Sequence, residues 1–176
     1  FNKKVDGIPY DGKYIFSEMG YNFLPSEISA AFALEQLKKL KSNINIRVKN
    51  FNKIFNYFKK HEDLFILPTE FKGLKTGWLA FPLIIKDSSK IVRKNLQIFL
   101  EKNEIQTRTI FTGNILRQPI MKSQVYKKCK DATTNSDNVM KNGILIGCHH
   151  GLTGNNIKYM LGKFDAFFSK FNLKVS

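Results

Sequence analysis

Apolar residues at Leu34, Leu37, Leu40, Ile44, Val48, Phe51, Ile54, Phe55 and Phe58 follow one another in steps of mostly three and four. That is the period of one buried helix face. Ser26, after Pro25 and before Glu27, supplies the cap, and the rod is predicted to run from there to Phe58. Ser29, Ala30, Ala31 and Ala33 leave room for a close neighbour, while Lys41-Ser42-Asn43 is a weak stretch where the rod is expected to break or bend. A coiled coil is the alternative, but the steps mix for too short a length to impose one. The chain then turns through Pro68 and Gly73. Trp78 to Lys86 reads as a strand, and Pro82, which cannot donate to a ladder, points to an edge or a bulge.

Asp87-Ser88-Ser89 reads as a turn and cap before a helix with Val92, Leu96, Phe99 and Leu100 inward, ending near Asn103; a strand from Ile105 to Phe111 follows. Residues 121–136 are polar and lysine-rich. Asp137 to Asn142 is predicted as a short helix stopped by Gly143, Ile144 to Cys148 as a buried strand, and Thr153 as the cap of a last helix. The packing side of that helix carries Ile157, Met160, Leu161, Phe164, Phe167, Phe168 and Phe171. Residues 1–25 read as irregular, broken by Gly7, Pro9, Gly12, Gly20 and Pro25. A structureless stretch of that length is usually functional or crosses to another subunit.

These elements predict a crossover loop and long linking helix over residues 1–60 and a small α+β domain over residues 61–176. A chain of 176 residues, 43% of them hydrophobic and 16 of them Phe, has enough apolar material for one well-cored domain. No apolar run approaches the ~20 residues of a membrane span. The chain opens at Phe1 with no leader and reads as a piece of a longer protein. Cys129 and Cys148 have neither disulfide-framework nor zinc-site spacing, which favours a reducing cytoplasm. The formal charge of +15 would suit any polyanion, yet only four of the 29 basic residues are Arg and the Lys are scattered. Nucleic acid is therefore a remote partner.

Candidate chemistry gathers in Thr107-Arg108-Thr109-Ile110-Phe111-Thr112-Gly113-Asn114-Ile115-Leu116-Arg117-Gln118-Pro119. Asn114, Arg117 and Gln118 place two amides and a guanidinium within five residues, and Arg donates in pairs to phosphate. The plainer reading makes Arg117 a solvated loop cation and Asn114 a turn-former. His149-His150 follows the last strand. Adjacent histidines point to different sides, so a metal pair is not expected; His149 is a donor or proton carrier, or part of a plain turn. There is no phosphate-cradling Gly-rich loop, no GxSxG and no Lys marked out as a Schiff-base former.

Gly20-Tyr21-Asn22-Phe23, then Ser26-Glu27-Ile28-Ser29-Ala30-Ala31 and Glu35-Gln36-Leu37-Lys38-Lys39-Leu40, resemble a segment of the DegT/DnrJ/StrS sugar aminotransferases. The match continues through Thr107-Arg108, Gly113-Asn114, Arg117-Gln118-Pro119 and His149 with Gly151-Leu152-Thr153, and covers nearly the whole chain. With Tyr14, the second motif is most similar to the RfbH-like branch, the CDP-4-keto-6-deoxyglucose 3-dehydrases.

The resemblance implies an α/β protein: the small C-terminal α+β domain of a fold-type I transferase using pyridoxal or pyridoxamine phosphate, with a long helix leading to a larger domain. The implied substrate is a nucleotide-linked keto-deoxysugar for surface polysaccharide, with dehydration or aminotransfer as the reaction. Implied partners are a second copy, giving a homodimer, and a reductase. Asn22 is similar to the residue that reaches the partner's cofactor phosphate. Asn114 and Arg117 would contact substrate, and His149 would edge the active site. The family's catalytic Lys or His and the iron-sulfur cysteines of some dehydrases have no counterpart in this chain. Leu24 departs from the family's basic residue, and His150 from a common Pro.

Overall fold

The computed structural model describes residues 3–5, 8–10, 21, 23–127 and 133–173. The chain divides into two compact units, residues 1–38 and 39–176. In the first, strands β1 (Lys3–Val5) and β2 (Ile8–Tyr10) pair antiparallel with Val5 opposite Ile8. This corrects the expectation of an irregular N-terminus. In sequence the two strands are separated by Asp6-Gly7, which lie outside the described residues; as a pair they are a hairpin signal, and the other glycines and the proline obscured it. Tyr14 and Asn22 lie outside the described residues.

Helix α1 (Glu27–Phe58) is continuous through Lys41-Ser42-Asn43, where a break was expected. Propensity costs there are small against an unbroken hydrogen-bond ladder. The expectation that one face is buried throughout also fails. Ile28, Phe32, Leu34 and Leu37 are exposed, and burial begins only near Asn50, Phe51, Ile54 and Phe58.

The second unit is a four-stranded antiparallel sheet in the order β3-β4-β6-β5, with β3 Phe65–Ile66, β4 Ala80–Ile85, β5 Thr107–Arg108 and β6 Gly143–Gly147. Alternation along β4 buries Phe81, Leu83 and Ile85, and the register sets Phe81 opposite Ile146 and Leu83 opposite Ile144. Helices α2 (Arg93–Lys102) and α4 (Gly154–Lys170) add Leu96, Leu100, Ile157, Met160, Phe164, Phe167 and Phe168 to one core with these strands and the end of α1. Thr153 caps α4 as predicted: its Oγ1 accepts from the Asn156 amide at 3.2 Å, and Asn156 Oδ1 accepts from the Thr153 amide at 2.9 Å. Phe171 lies past the helix, about half exposed, although its ring still meets Phe167.

Two strand expectations change. β4 is a central strand, but β3 pairs only with Ile84 and Ile85, so Pro82 sits where that flank has no strand partner. The strand expected from Ile105 to Phe111 shortens to Thr107–Arg108, because the chain turns at Ile110, whose carbonyl accepts from the Gly113 amide at 3.0 Å. Helix α3 (Thr134–Asn142) begins three residues before the predicted Asp137.

His61 is buried among the rings of Tyr57, Phe58 and Phe168, and its Nδ1 has no hydrogen-bond partner among the described residues. Burial lowers its pKa, outweighing the opposing fields of Asp165 and Asp63, while Lys60 adds to the lowering. Its neutral form is therefore favoured in the fold, so this contribution is present above the unfolded value of about 6.5 and is lost as pH falls toward the lower folded value. Denaturant titrations of the full-length protein from pH 8 to pH 5 should show stability falling across that window. In His61→Leu the fall should be shallower; an unchanged slope would remove His61 as its cause.

Candidate functional site

The loop after β5 is built around a glycine that nothing else can replace. Gly113 has φ +64°, and a Cβ there would come within 2.6 Å of the Met140 Cβ on α3. Left-handed backbone and close approach thus both require it. Two residues earlier Phe111 adopts φ +46° with no such excuse, a conformation that costs a bulky residue about 1–3 kcal/mol. The residue is 90% exposed.

Asn114 is buried at the start of a 3-10 turn formed by Ile115–Arg117. Its Oδ1 accepts from the Leu116 amide at 3.0 Å, and its Nδ2 donates to Asp137 Oδ1 at 2.7 Å. Arg117 grips the same carboxylate with two donors, Nε to Oδ1 and Nη2 to Oδ2, the latter at 2.6 Å. Asp137 lies in the first turn of α3, where a carboxylate meets the positive end of the helix dipole. Its hydrogen bonds and charge raise the pKa of Arg117 further above its ordinary value. The Arg117 side chain remains 62% exposed. One edge of the guanidinium is therefore fixed to protein while the group stays accessible, which sets the orientation of an anion-binding donor in advance. Gln118 Nε2 donates to the Thr112 carbonyl at 2.9 Å and closes the loop on itself.

His149 lies elsewhere. It follows β6 beyond the buried Cys148, whereas Gly113 packs on α3 beside the start of that strand. At ~3.3 Å per residue the two ends of β6, Gly143 and Gly147, stand roughly 13 Å apart. Asn114, Arg117 and His149 thus fall into two groups. Asn114 and Arg117 converge on Asp137, and His149 joins Arg108 in a different cavity.

That second cavity, about 360 Å³, is lined by Arg108, Gln106, His149, Leu152, Asn156 and Tyr159 among others. The buried Asn50 of α1 pins its rim, donating from Nδ2 to the His149 carbonyl at 3.0 Å and to the Leu152 carbonyl at 3.3 Å. The His149 Nδ1 accepts from the Gly151 amide at 3.2 Å, which assigns the ring proton of the neutral form to Nε2. His150 instead meets Arg47, with Nη2 to Nδ1 at 3.4 Å.

Arg108 is positioned by its neighbour in β5. Glu101 accepts from the Thr107 amide at 2.6 Å and from its hydroxyl at 2.8 Å, and these bonds, the backbone one first, hold the Glu101 carboxyl below its usual range. Burial pushes the Cys148 thiol up to about 11, so it is protonated at neutral pH and serves as packing, with its Sγ 3.4 Å from the Trp78 carbonyl. Cys129 lies outside the described residues. Asn50 was not singled out from the sequence, Arg108 was named only as part of the loop motif and given no role of its own, and Asp137 was read only as an acid opening a helix; nothing in its spacing joins it to Arg117 twenty positions earlier.

Among the described residues no helix is long and apolar enough to cross a membrane, and no three His, Cys, Asp or Glu side chains are grouped to hold a metal.

Residues 4–165 match the DegT/DnrJ/EryC1/StrS aminotransferase family. The lipopolysaccharide biosynthesis protein RfbH of Salmonella typhimurium is 31% identical over 170 residues, 96% of this chain and 39% of that protein. The dTDP-4-dehydro-2,6-dideoxy-D-glucose 3-dehydratase of Saccharopolyspora spinosa is 34% identical over 161 residues, 92% of this chain and 34% of its own. Among solved structures, E. coli GDP-4-keto-6-deoxy-D-mannose-3-dehydratase with bound hydrated PLP superposes with a TM-score of 0.76 at 31% identity, over 90% of this chain and 41% of that one. The chain thus spans between 34 and 41% of the length of these relatives.

Gly113→Ala should destabilise the full-length protein by about 2 kcal/mol or more, from strained backbone and overpacking on Met140 together. Gly73→Ala is the control for backbone strain alone, since φ there is +87° but nothing lies within 4 Å. Thermal unfolding should rank Gly113→Ala clearly below it; equal losses would mean that the Met140 contact is immaterial.

Proposed function

The chain belongs to the DegT/DnrJ/EryC1/StrS aminotransferase family, and from that membership we propose that it is the C-terminal part of a vitamin-B6-dependent 3-dehydratase acting on a nucleotide-linked 4-keto-6-deoxyhexose. The observation that carries this reading is the 31 to 34% identity, over nine tenths of the chain or more, to RfbH and to sugar 3-dehydratases. Removing the C3 hydroxyl from such a sugar serves deoxysugar synthesis for lipopolysaccharide or O-antigen.

The fixed guanidinium of Arg117 supports a role in orienting the substrate's anionic part. Asn114 supports that role from below: its buried amide divides between Asp137 and Leu116, so it holds Arg117's partner in place. Asn114 was expected to contact substrate itself, but it is buried with both amide atoms engaged, so in this proposal it is the support and Arg117 the contact. His149 offers an Nε2 donor at the other cavity, a second substrate-side contact in the same reading.

Pyridoxal or pyridoxamine phosphate supplies the reactive carbonyl or amine and the electron-accepting ring when bound. The donors described in this chain suit an anion and include no counterpart of the family's catalytic Lys or His. Asn22 is the one residue proposed to reach the cofactor, through its phosphate, in a homodimer. A separate reductase and a cytoplasmic location complete the reading.

The test uses the full-length protein with pyridoxamine phosphate and a nucleotide-linked 4-keto-6-deoxyhexose. Loss of water from the sugar supports the dehydratase. Stoichiometric 2-oxoglutarate from glutamate with an amino sugar as product would replace it by an aminotransferase. Arg117→Ala should raise KM roughly 10- to 100-fold, the range expected for a lost charged hydrogen bond, with a much smaller effect on kcat. Unfolding of that variant would count against a substrate contact.

A further inference from the structure

We infer that Phe111 is the stacking surface for the heterocyclic base of the nucleotide-linked substrate, an inference that rests on the nucleotide-sugar reading above. Single exposed apolar side chains are ordinary and carry no meaning alone. Here exposure coincides with strain. Phe111 is 90% exposed as a residue, on a backbone with φ +46°, a conformation that suits Gly or Asn and penalises a bulky residue. Packing does not explain the strain, because the ring meets almost no protein among the described residues.

Looseness does not explain it either. The turn is closed by the Gly113 amide on the Ile110 carbonyl at 3.0 Å, Gln118 binds the Thr112 carbonyl at 2.9 Å, and Gly113 is wedged on Met140. A rigid turn thus holds an aromatic outward, with Thr112 next to it and Thr109 two residues before it in sequence. Arg117, locked to Asp137, stands six residues further on in the same loop.

A flat apolar face and an oriented guanidinium on one loop match the two halves of a nucleoside diphosphate, its aromatic base and its anion. Stacking is tolerant of base identity, since every base has a π-face. Phe111 therefore contributes affinity for the nucleotide and leaves the choice among guanine, cytosine and thymine to other residues.

The test titrates the full-length protein calorimetrically with guanosine, cytidine and thymidine diphosphates, and with inorganic pyrophosphate as the probe without a base. Phe111→Asn removes the ring and suits the backbone; Phe111→Tyr keeps the ring. In Phe111→Asn the nucleoside diphosphates should weaken about tenfold or more, pyrophosphate should be unaffected and the Tm should not fall. Phe111→Tyr should bind as the parent does. Equal nucleotide affinity in parent and Phe111→Asn overturns the inference and leaves the nucleotide-sugar reading standing, and so does a weakening shared by pyrophosphate. A lower Tm with unchanged affinity reassigns the ring to packing. A parent protein that binds no nucleoside diphosphate overturns both.

Discussion

The second unit depends on one ring. Phe58, fully buried at the last residue of α1, meets Phe81 of β4 at 5.7 Å, Phe65 of β3 at 5.4 Å and Phe164 of α4 at 4.9 Å between centroids. Four elements, α1, β3, β4 and α4, are thereby joined by edge-on and offset contacts, the arrangements that aromatic quadrupoles favour. Because this core takes up one face of the sheet, the alternate residues Ala80, Pro82, Ile84 and Leu145 are left on the opposite face, only half-buried. Fixing strands and helices at one face is what lets short loops at the strand ends hold polar groups in set positions.

That scaffold explains why the polar groups fall into two sets. β6 delivers His149 from one end, while α3 and the loop after β5 meet near the other. At the first end Asn50 ties the turn to α1. At the second, Arg93 donates to the Met140 and Gly143 carbonyls at 2.9 and 3.3 Å, neutralising the C-terminal end of α3 and joining it to the start of α2. Asp137, at the other end of the same short helix, holds Arg117. One helix thus has a cation at its C-terminus and an anion at its N-terminus, and both ties brace the segment on which Gly113 rests.

Much of this was legible where periodicity is strong. α1, α2 and α4 follow directly from apolar spacing, the strand at β4 was expected although its run of apolar residues does not say which of them face the core, and Thr153 announced its helix through the local chemistry of its own cap. What was not legible depends on distant partners. Continuous helical ladder carried α1 through Lys41-Ser42-Asn43, and local spacing alone does not reveal where its face stops being buried. The turn at Ile110 needs Gly113 wedged on Met140, twenty-seven positions away, so the strand looked longer than it is. Arg117 and Asn114 were found as donors of the right type, but their convergence on Asp137 and their separation from His149 are facts of topology.

The charge balance separates a diffuse positive field from one cation of fixed orientation. A chain with 29 basic and 14 acidic residues presents a positive field that draws any anion and distinguishes little. Most of that charge is Lys, a flexible point charge whose ordering costs entropy on binding. Arg117 differs because Asp137 has already fixed its plane. The carboxylate cancels part of the charge and in return removes rotational freedom from the guanidinium. Attraction from the field and orientation from the pair are separable quantities, and only the second needs the buried Asn114 beneath it: that amide binds the oxygen that holds Arg117, so a buried group helps to set the direction in which an exposed one points.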